Sequence, residues 1–529
     1  MARKQFQKTI CRLGLIGLYL LLALYPAVYL LFSGERDGAT GFNIRRMGLM
    51  ENSLWIAGGC SVLCMVIAVF ASVRLYGAFR RMPAMRWFFL LLAPVPSYVY
   101  ALSYMNILRF LGRFFPAVLR FRMAGILPCI LVESFAFLPY VCAAALLGLE
   151  RMDAKEWKAA LLMQDADKVY FRIVFPRQLP YVLAMGAVIF VLSITDYSIP
   201  SLFQVNVYAM EIFSDYSAVG QSTHSLRLAF PLILISAVVI LLALFPLRKE
   251  EGVVNGREKV FPVYSKGMRM GGSLAVTVLV LQILLPILSL LPYIPAMAGE
   301  FVSAGEELIN SFMAGGLAVC ILTGPAAAVA MMLSEGPGVK KAERNRKGNT
   351  VIGNQRSYRL RHLEGWFLAI LPLAIPGTLT GIGLLQFLSR SPLHVLRNGN
   401  LMPALGMAAR YLPLSMLIQY GCYVRLDREK IKAAKLLQRR RGAAFWRVQL
   451  PMMLPGLVIS GIVVFLLTLG DVGTALVLMP AGREPLSVKI YNYLHYGASE
   501  TVAIFCLMQT AVCMISMMMI YIAVHIRHA

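Results

Sequence analysis

Two carboxylates stand in matching surroundings. Asp196 ends the string FVLSITD, and Asp471 ends FLLTLGD. Both lie late in apolar runs. A carboxylate there can favour cationic cargo in a pathway, or it can hold a helix end as part of a gate. Other reactive chemistry is thin. The histidines, His224, His362, His394, His495, His525 and His528, are scattered. The cysteines, Cys11, Cys60, Cys64, Cys129, Cys142, Cys320, Cys422, Cys506 and Cys513, lie mostly in apolar runs. None makes a CxxC or a Cys/His metal spacing, so they read as packing residues. No Ser/His/Asp constellation stands out. The string Gly336-Pro337-Gly338-Val339-Lys340-Lys341 lacks the spacing of a phosphate-binding loop. The expectation is a chain with no catalytic residue, no metal ligand set and no cofactor.

A second constellation is mechanical. Lys158 to Pro180 reads KAALLMQDADKVYFRIVFPRQLP, and Lys432 to Pro455 reads KAAKLLQRRRGAAFWRVQLPMMLP. Each copy has K-A-A, as Lys158-Ala159-Ala160 and Lys432-Ala433-Ala434. Each then has L-x-Q ending at Gln164 or Gln438, an aromatic-Arg-Ile/Val triplet, and P-x-x-L-P from Pro176 or Pro451. The registers differ by one residue before the prolines and keep an offset of 275 from there on. Proline cannot continue a preceding helix, but it suits the first turn of the next. A short helix, a turn and a re-entering helix are expected. The alanines permit close approach to a partner.

The elements that must position these residues are membrane helices. The chain has 529 residues, of which 59% are hydrophobic and 15% charged. Soluble domains carry about 25% charged residues. Twelve apolar spans are expected, at about 13–33, 53–73, 87–107, 124–148, 181–203, 228–247, 270–294, 309–334, 364–388, 404–424, 452–478 and 503–525. The first is longer than the core of a cleaved signal peptide and reads as a retained span. With the N-terminus inside, inner segments carry 38 Lys and Arg and outer loops 12, which places both termini in the cytoplasm. The outer loop 108–123, with Arg109, Arg113, Arg120 and Arg122, runs against that trend. The net charge of +25 sits in short loops, which fits the excess of Lys and Arg on cytoplasmic loops rather than nucleic-acid binding, and such charge can also attract anionic lipid headgroups. Arg410 and Glu133, expected near the inward thirds of spans ten and four, read as interhelical pairing residues. Pro94–Pro96 and Pro376–Gly383 read as kinks, and 336–362 as a solvated basic linker.

Weaker echoes extend the duplication. Asn52-Ser53 parallels Asn310-Ser311, Leu138-Pro139 parallels Leu412-Pro413, and Pro96 parallels Pro376. The expected organisation is a repeat over 1–250, a cytoplasmic linker over 251–268 and a second repeat over 269–529. Six spans per half put both K-A-A loops, at about 150–180 and 425–455, on one side of the membrane. The fold expected is therefore an all-α polytopic membrane protein of two parallel six-helix repeats.

The repeated loop resembles the EAA loop of binding-protein-dependent ABC importer permeases, whose pattern is E-A-A-x3-G-x9-I-x-L-P. The second copy keeps that spacing through Val448-Gln449-Leu450-Pro451, and the first is one residue short, at Ile173-Val174-Phe175-Pro176. Both copies depart in two slots. Lys158 and Lys432 replace Glu, which implies an altered partner groove. Gln164 and Gln438 replace Gly, which removes the residue suited to a tight turn, so a longer helix is expected. The resemblance implies a type I permease fold in a bacterial inner membrane. It implies two ATPase subunits docked on the loops and an external substrate-binding protein. The stretches TDYSIPSLFQVNVYAMEIF and EPLSVKIYNYLHYGA are similar to the ferric-iron, thiamine and phosphonate branch, with iron the first expectation for the cargo. Thiamine, phosphonate and polyamine remain alternatives. The alternative class is an ion-coupled secondary transporter, which needs a midplane ion site and no ATPase.

Overall fold

The computed structural model describes residues 14–26, 28–29, 43–81, 95–115, 124–150, 154–219, 222–247, 266–296, 304–334, 364–390, 399–424, 426, 428–437, 441–497 and 500–525. Every regular element among them is helical. The helices in chain order are α1 (Gly14–Pro26), α2 (Ile44–Arg81), α3 (Ser97–Phe114), α4 (Ile126–Glu150), α5 (Ala154–Met163) and α6 (Ala166–Ile194). Then come α7 (Ser198–Leu202), α8 (Tyr208–Val219), α9 (Ser222–Leu247), α10 (Lys266–Leu290), α11 (Gly305–Ser334), α12 (Glu364–Ala374) and α13 (Gly377–Arg390). Last are α14 (Leu401–Tyr423), α15 (Arg428–Leu437), α16 (Phe445–Leu469), α17 (Gly473–Leu478), α18 (Leu486–His495) and α19 (Glu500–His525).

Eight of these, α2, α4, α6, α9, α10, α11, α14 and α16, are long and apolar enough to cross a membrane. The α12–α13 pair, bent by 88°, makes a ninth if it is one span. The chain is an all-α, multi-pass membrane protein. The other expected spans fall on α1, on α3 and on α19. In α1 and α19 the described apolar stretches are shorter, and residues 82–94 of the third span lie outside the described residues.

Contacts divide the chain into two units, and neither is continuous in sequence. One holds the described residues of Arg36–Glu307 and Leu486–Met517. The other holds those of Met1–Glu35, Leu308–Pro485 and Met518–Ala529. The first helix of each sequence half thus folds with the other half. In the first unit, α10 packs on α2 and α3, and α18 packs on α7. In the second unit, the Tyr19 hydroxyl of α1 donates to the Ala369 carbonyl of α12 at 2.6 Å. Tyr25 and Tyr29 meet Phe387 of α13 edge-on, with ring centres 4.9 and 5.6 Å away.

The core of the first unit forms where α2, α4, α6 and α10 meet. Cys60, Cys64, Ala68, Ala71 and Leu75 recur at helical spacing along α2 and face Leu138, Val141, Cys142 and Ala145 of α4. Small residues let the backbones approach closely, which drives helix association in lipid. Gly148 marks the tightest such place. A Cβ there would lie 2.9 Å from the Gln178 backbone of α6, which cannot rotate away. Gly148→Val is therefore expected to cost about 1–3 kcal/mol through overpacking. A thermal melt of the purified chain checks this, with Gly58→Val as control, since that position is open.

Candidate coupling loops and helix breaks

The two K-A-A loops share one local design. In each, a short helix (α5 or α15) precedes a long helix that contains a single π turn. The π turns are Tyr170–Val174 and Phe445–Gln449, followed by α-helical Phe175–Ile194 and Leu450–Leu469. All four boundaries repeat at the offset of 275. Pro176 and Pro451 explain the turn's place. Each lacks the N–H that the carbonyl four residues back requires, so the ladder widens just before it. The long helices start before the spans expected from hydropathy, at Ala166 and Phe445, so the end of each loop and its span share one rod.

The first loop does not run on through Gln164. Helix α5 ends at Met163, Gln164 bends, and Asp165 is extended at φ −59° and ψ 148° before Ala166 begins the next turn. An extended Asp residue ends a helix without any glycine, which corrects the expectation of a longer helix. Gln438 lies outside the described residues.

The exposed and inward faces of the loops differ from the expectation in one respect. Lys158 and Ala159 are exposed, as are Lys432 and Ala433. The second alanines face the protein itself. Ala160 packs beside a cluster of Val73, Tyr76, Leu149, Val169 and Tyr170, and Ala434 is 9% exposed. Leucine takes the outward place. Leu162 is 89% exposed and Leu436, its counterpart in the second copy, 86%. Leu162, Gln164, Asp165, Lys168 and Arg172 border an open pocket of about 770 Å³. Pro176 and Pro451 are also exposed.

Behind the first loop, a buried polar chain ties the rod to its neighbours. The Tyr170 hydroxyl donates to Gln178 Oε1 at 3.2 Å, and Gln178 Nε2 donates to Ser72 Oγ at 2.7 Å and to the Ala145 carbonyl at 3.2 Å. The second copy builds a similar chain from other positions. There Tyr423 donates to Gln419 Oε1, and Gln419 Nε2 donates to Ser415 and Ser460, each at 3.0 Å.

The spans expected to run through Asp196 and Asp471 stop short of them. Helix α6 ends at Ile194 and α16 at Leu469, and each Asp sits in a break before a short helix. Asp side chains bond nearby backbone N–H groups and so favour such breaks over helix interiors. Asp196 Oδ1 accepts from the Ser198 N–H at 2.9 Å and from the Ser198 hydroxyl at 2.6 Å. Asp471 Oδ1 accepts from the Thr474 N–H at 3.1 Å and pairs with Arg410 at 2.8 Å. The Asp471 side chain is fully buried. Gly377, just after the α12–α13 bend, makes room, since a Cβ there would lie 2.6 Å from the Arg410 guanidinium.

Sequence reading named Arg410 and Asp471 separately and missed that they pair. It also placed Arg410 and Glu133 at the wrong depth. Glu133 lies in the third turn of α4 and accepts a short hydrogen bond from Ser193, in the last turn of α6. It therefore belongs to the same end as Asp196, because α4 begins only at Ile126. Tyrosines missed by the sequence reading buttress the first break. Tyr197 stacks on Phe213 at 5.4 Å, and the Tyr491 hydroxyl lies 2.8 Å from Ser201 Oγ. Burial pushes the Tyr491 phenol above its ordinary value, and the Ser201 hydrogen bond partly offsets this.

Charge also fixes the ends of the first unit. Glu211 of α8 bridges Arg45 and Arg46 of α2 at 3.0 and 3.6 Å. Lys489 of α18 reaches Glu307 of α11 at 2.6 Å, with the signs reversed. Among the described residues, no group of three or more His, Cys, Asp or Glu side chains is placed to hold a metal ion. No protein-family model matches the chain, and no curated protein matches it.

Proposed function

We propose that this chain is the complete membrane permease of an ATP-driven importer, with two docking loops for ATPase subunits. The observation that carries the reading is the duplicated loop. Two segments with one residue pattern each form a short helix that presents Lys, Ala and an exposed Leu, and each is followed by a membrane rod with a proline-set π turn. A soluble partner that grips such a helix can move the rod attached to it. In this reading twelve spans form two parallel six-helix repeats of the type I permease fold, in a bacterial inner membrane with both termini cytoplasmic.

An external binding protein delivers the cargo, and ATP binding and hydrolysis in the partners drive the pore between inward-open and outward-open states. Ferric iron is the first candidate cargo, on the resemblance of the two outer stretches alone. Asp471 is neutralised by Arg410, so a gate-holding role fits it better than attraction of cations. Uptake of radiolabelled ferric iron into vesicles separates this reading from a secondary transporter. Import is expected to need ATP and the binding protein and to survive a protonophore. Uptake driven by an ion gradient without ATP would refute it.

A further inference from the structure

Among the described residues, Glu133 has no charged partner of opposite sign. It is 0% exposed inside α4. Ser193 donates to its Oε2, and Oε1 has no hydrogen-bond partner. No ion pair reaches it among the described residues. The helices packed on α4 are α2, α3, α6, α7 and α10. The titratable groups that reach Glu133 from these elements and its own are Cys60 of α2, Cys129 of α4 and Asp196 of the break. All three are neutral or negative. The Arg residues at the N-terminal end of α2 are engaged with Glu211, and Arg74 donates to Ser273.

The second half has a cation one helical turn from the corresponding place: in the register that relates Leu138-Pro139 to Leu412-Pro413, Glu133 falls at Met407 and Arg410 at Ala136. Asp196 and Asp471 are related by the repeat offset of 275. At Asp471 the neighbouring helix α14 supplies Arg410, and the charges cancel at 2.8 Å. At Asp196 the neighbouring helix α4 supplies Glu133, a second acid. Glu133 is fully buried beside the half-buried Asp196, and a fully buried carboxylate does not stay ionised without compensation. A lone buried charge inside a membrane protein is costlier still.

We propose that Glu133 is a proton-binding site, holding one proton as a neutral carboxylic acid where the second half uses Arg410. The proton comes from water and leaves no charge behind in the interior. A neutral acid needs no counter-ion, and one bare oxygen costs far less than a bare charge. Asp196 then keeps its charge, held by the Ser198 N–H and hydroxyl. The helices beside the two breaks thus carry different groups: one a fixed guanidinium, the other an exchangeable proton. This inference rests on the full burial of Glu133 and its unpartnered oxygen, and does not depend on an ATPase partner.

Infrared spectroscopy of the full chain in lipid nanodiscs tests it. The wild type is expected to show the carbonyl-stretch band of a protonated carboxyl from mildly acidic to mildly alkaline pH. That band should be lost in Glu133→Gln, which should keep the wild-type thermal midpoint because it is a neutral isostere. Should Glu133→Gln not fold, carbon-13 labelling of the glutamate carboxyls must shift the wild-type band. A wild type with no such band, or a band that glutamate labelling leaves in place, overturns the proposal. So does loss of the band on adding sodium or potassium chloride, which would make a metal cation the ligand.

Discussion

Replacing Leu162 and Leu436 together by aspartate is expected to strip from this chain the ATP-hydrolysing subunits proposed to dock on its loops, and to abolish the proposed ATP-driven uptake. Both leucines are almost fully exposed on loop helices outside the apolar spans. Burying one leucine against a partner is worth about 1.5–3 kcal/mol. Losing it costs about 10- to 100-fold in affinity at each loop, and an aspartate in an apolar groove adds a desolvation penalty. The folded chain loses nothing, because neither side chain packs on it. Its thermal midpoint should therefore be unchanged while the partner is absent after affinity purification. The single variants should differ. The second loop keeps the family spacing and has no acidic residue between Lys432 and Pro451, whereas Asp165 and Asp167 interrupt the first. Equal loss of partner from Leu162→Asp and Leu436→Asp would count against unequal docking.

Arg410→Met is expected to produce the largest loss of stability. It takes the guanidinium away from Asp471, whose side chain is fully buried. Breaking a buried ion pair from one side costs about 3–5 kcal/mol. The same change removes the bond from Arg410 to Thr474 Oγ1 at 3.3 Å, in the short helix just after the break. Adding Asp471→Asn should restore most of the loss, because the charge that needed a partner is gone. Fluorescence-detected size exclusion after a heat step reads both effects. If Arg410→Met alone melts like the wild type, the pair does not hold the break.

Much of this arrangement is visible in the chain's residues, and the rest depends on contacts between distant segments. Pro176 and Pro451 mark where the helix departs from regular geometry, because a missing N–H acts locally, but as sequence they read as the start of a new helix rather than a π turn before them. The matching contexts of Asp196 and Asp471 announce equivalent positions, but hydropathy averages over a three-residue break and carries the span through it. The pairing of Arg410 with Asp471 spans 61 residues, and no local pattern reports it. The inward face of Ala160 likewise depends on Val73 and Tyr76 of α2, which lie far away in sequence. The duplication is plain in sequence, yet it gives no sign that α10 packs on the first half or that α1 packs on the second. Long apolar helices are recognisable one at a time, whereas their neighbours are chosen by small residues such as Gly148 and Gly272 that hydropathy ignores.

Native mass spectrometry of the complex extracted from its own membrane tests the central claim most directly. The account predicts one copy of this chain carrying two ATP-hydrolysing subunits, one per loop, with ATPase activity in the intact complex. A chain that travels alone, and that still drives uptake when reconstituted alone, would contradict it.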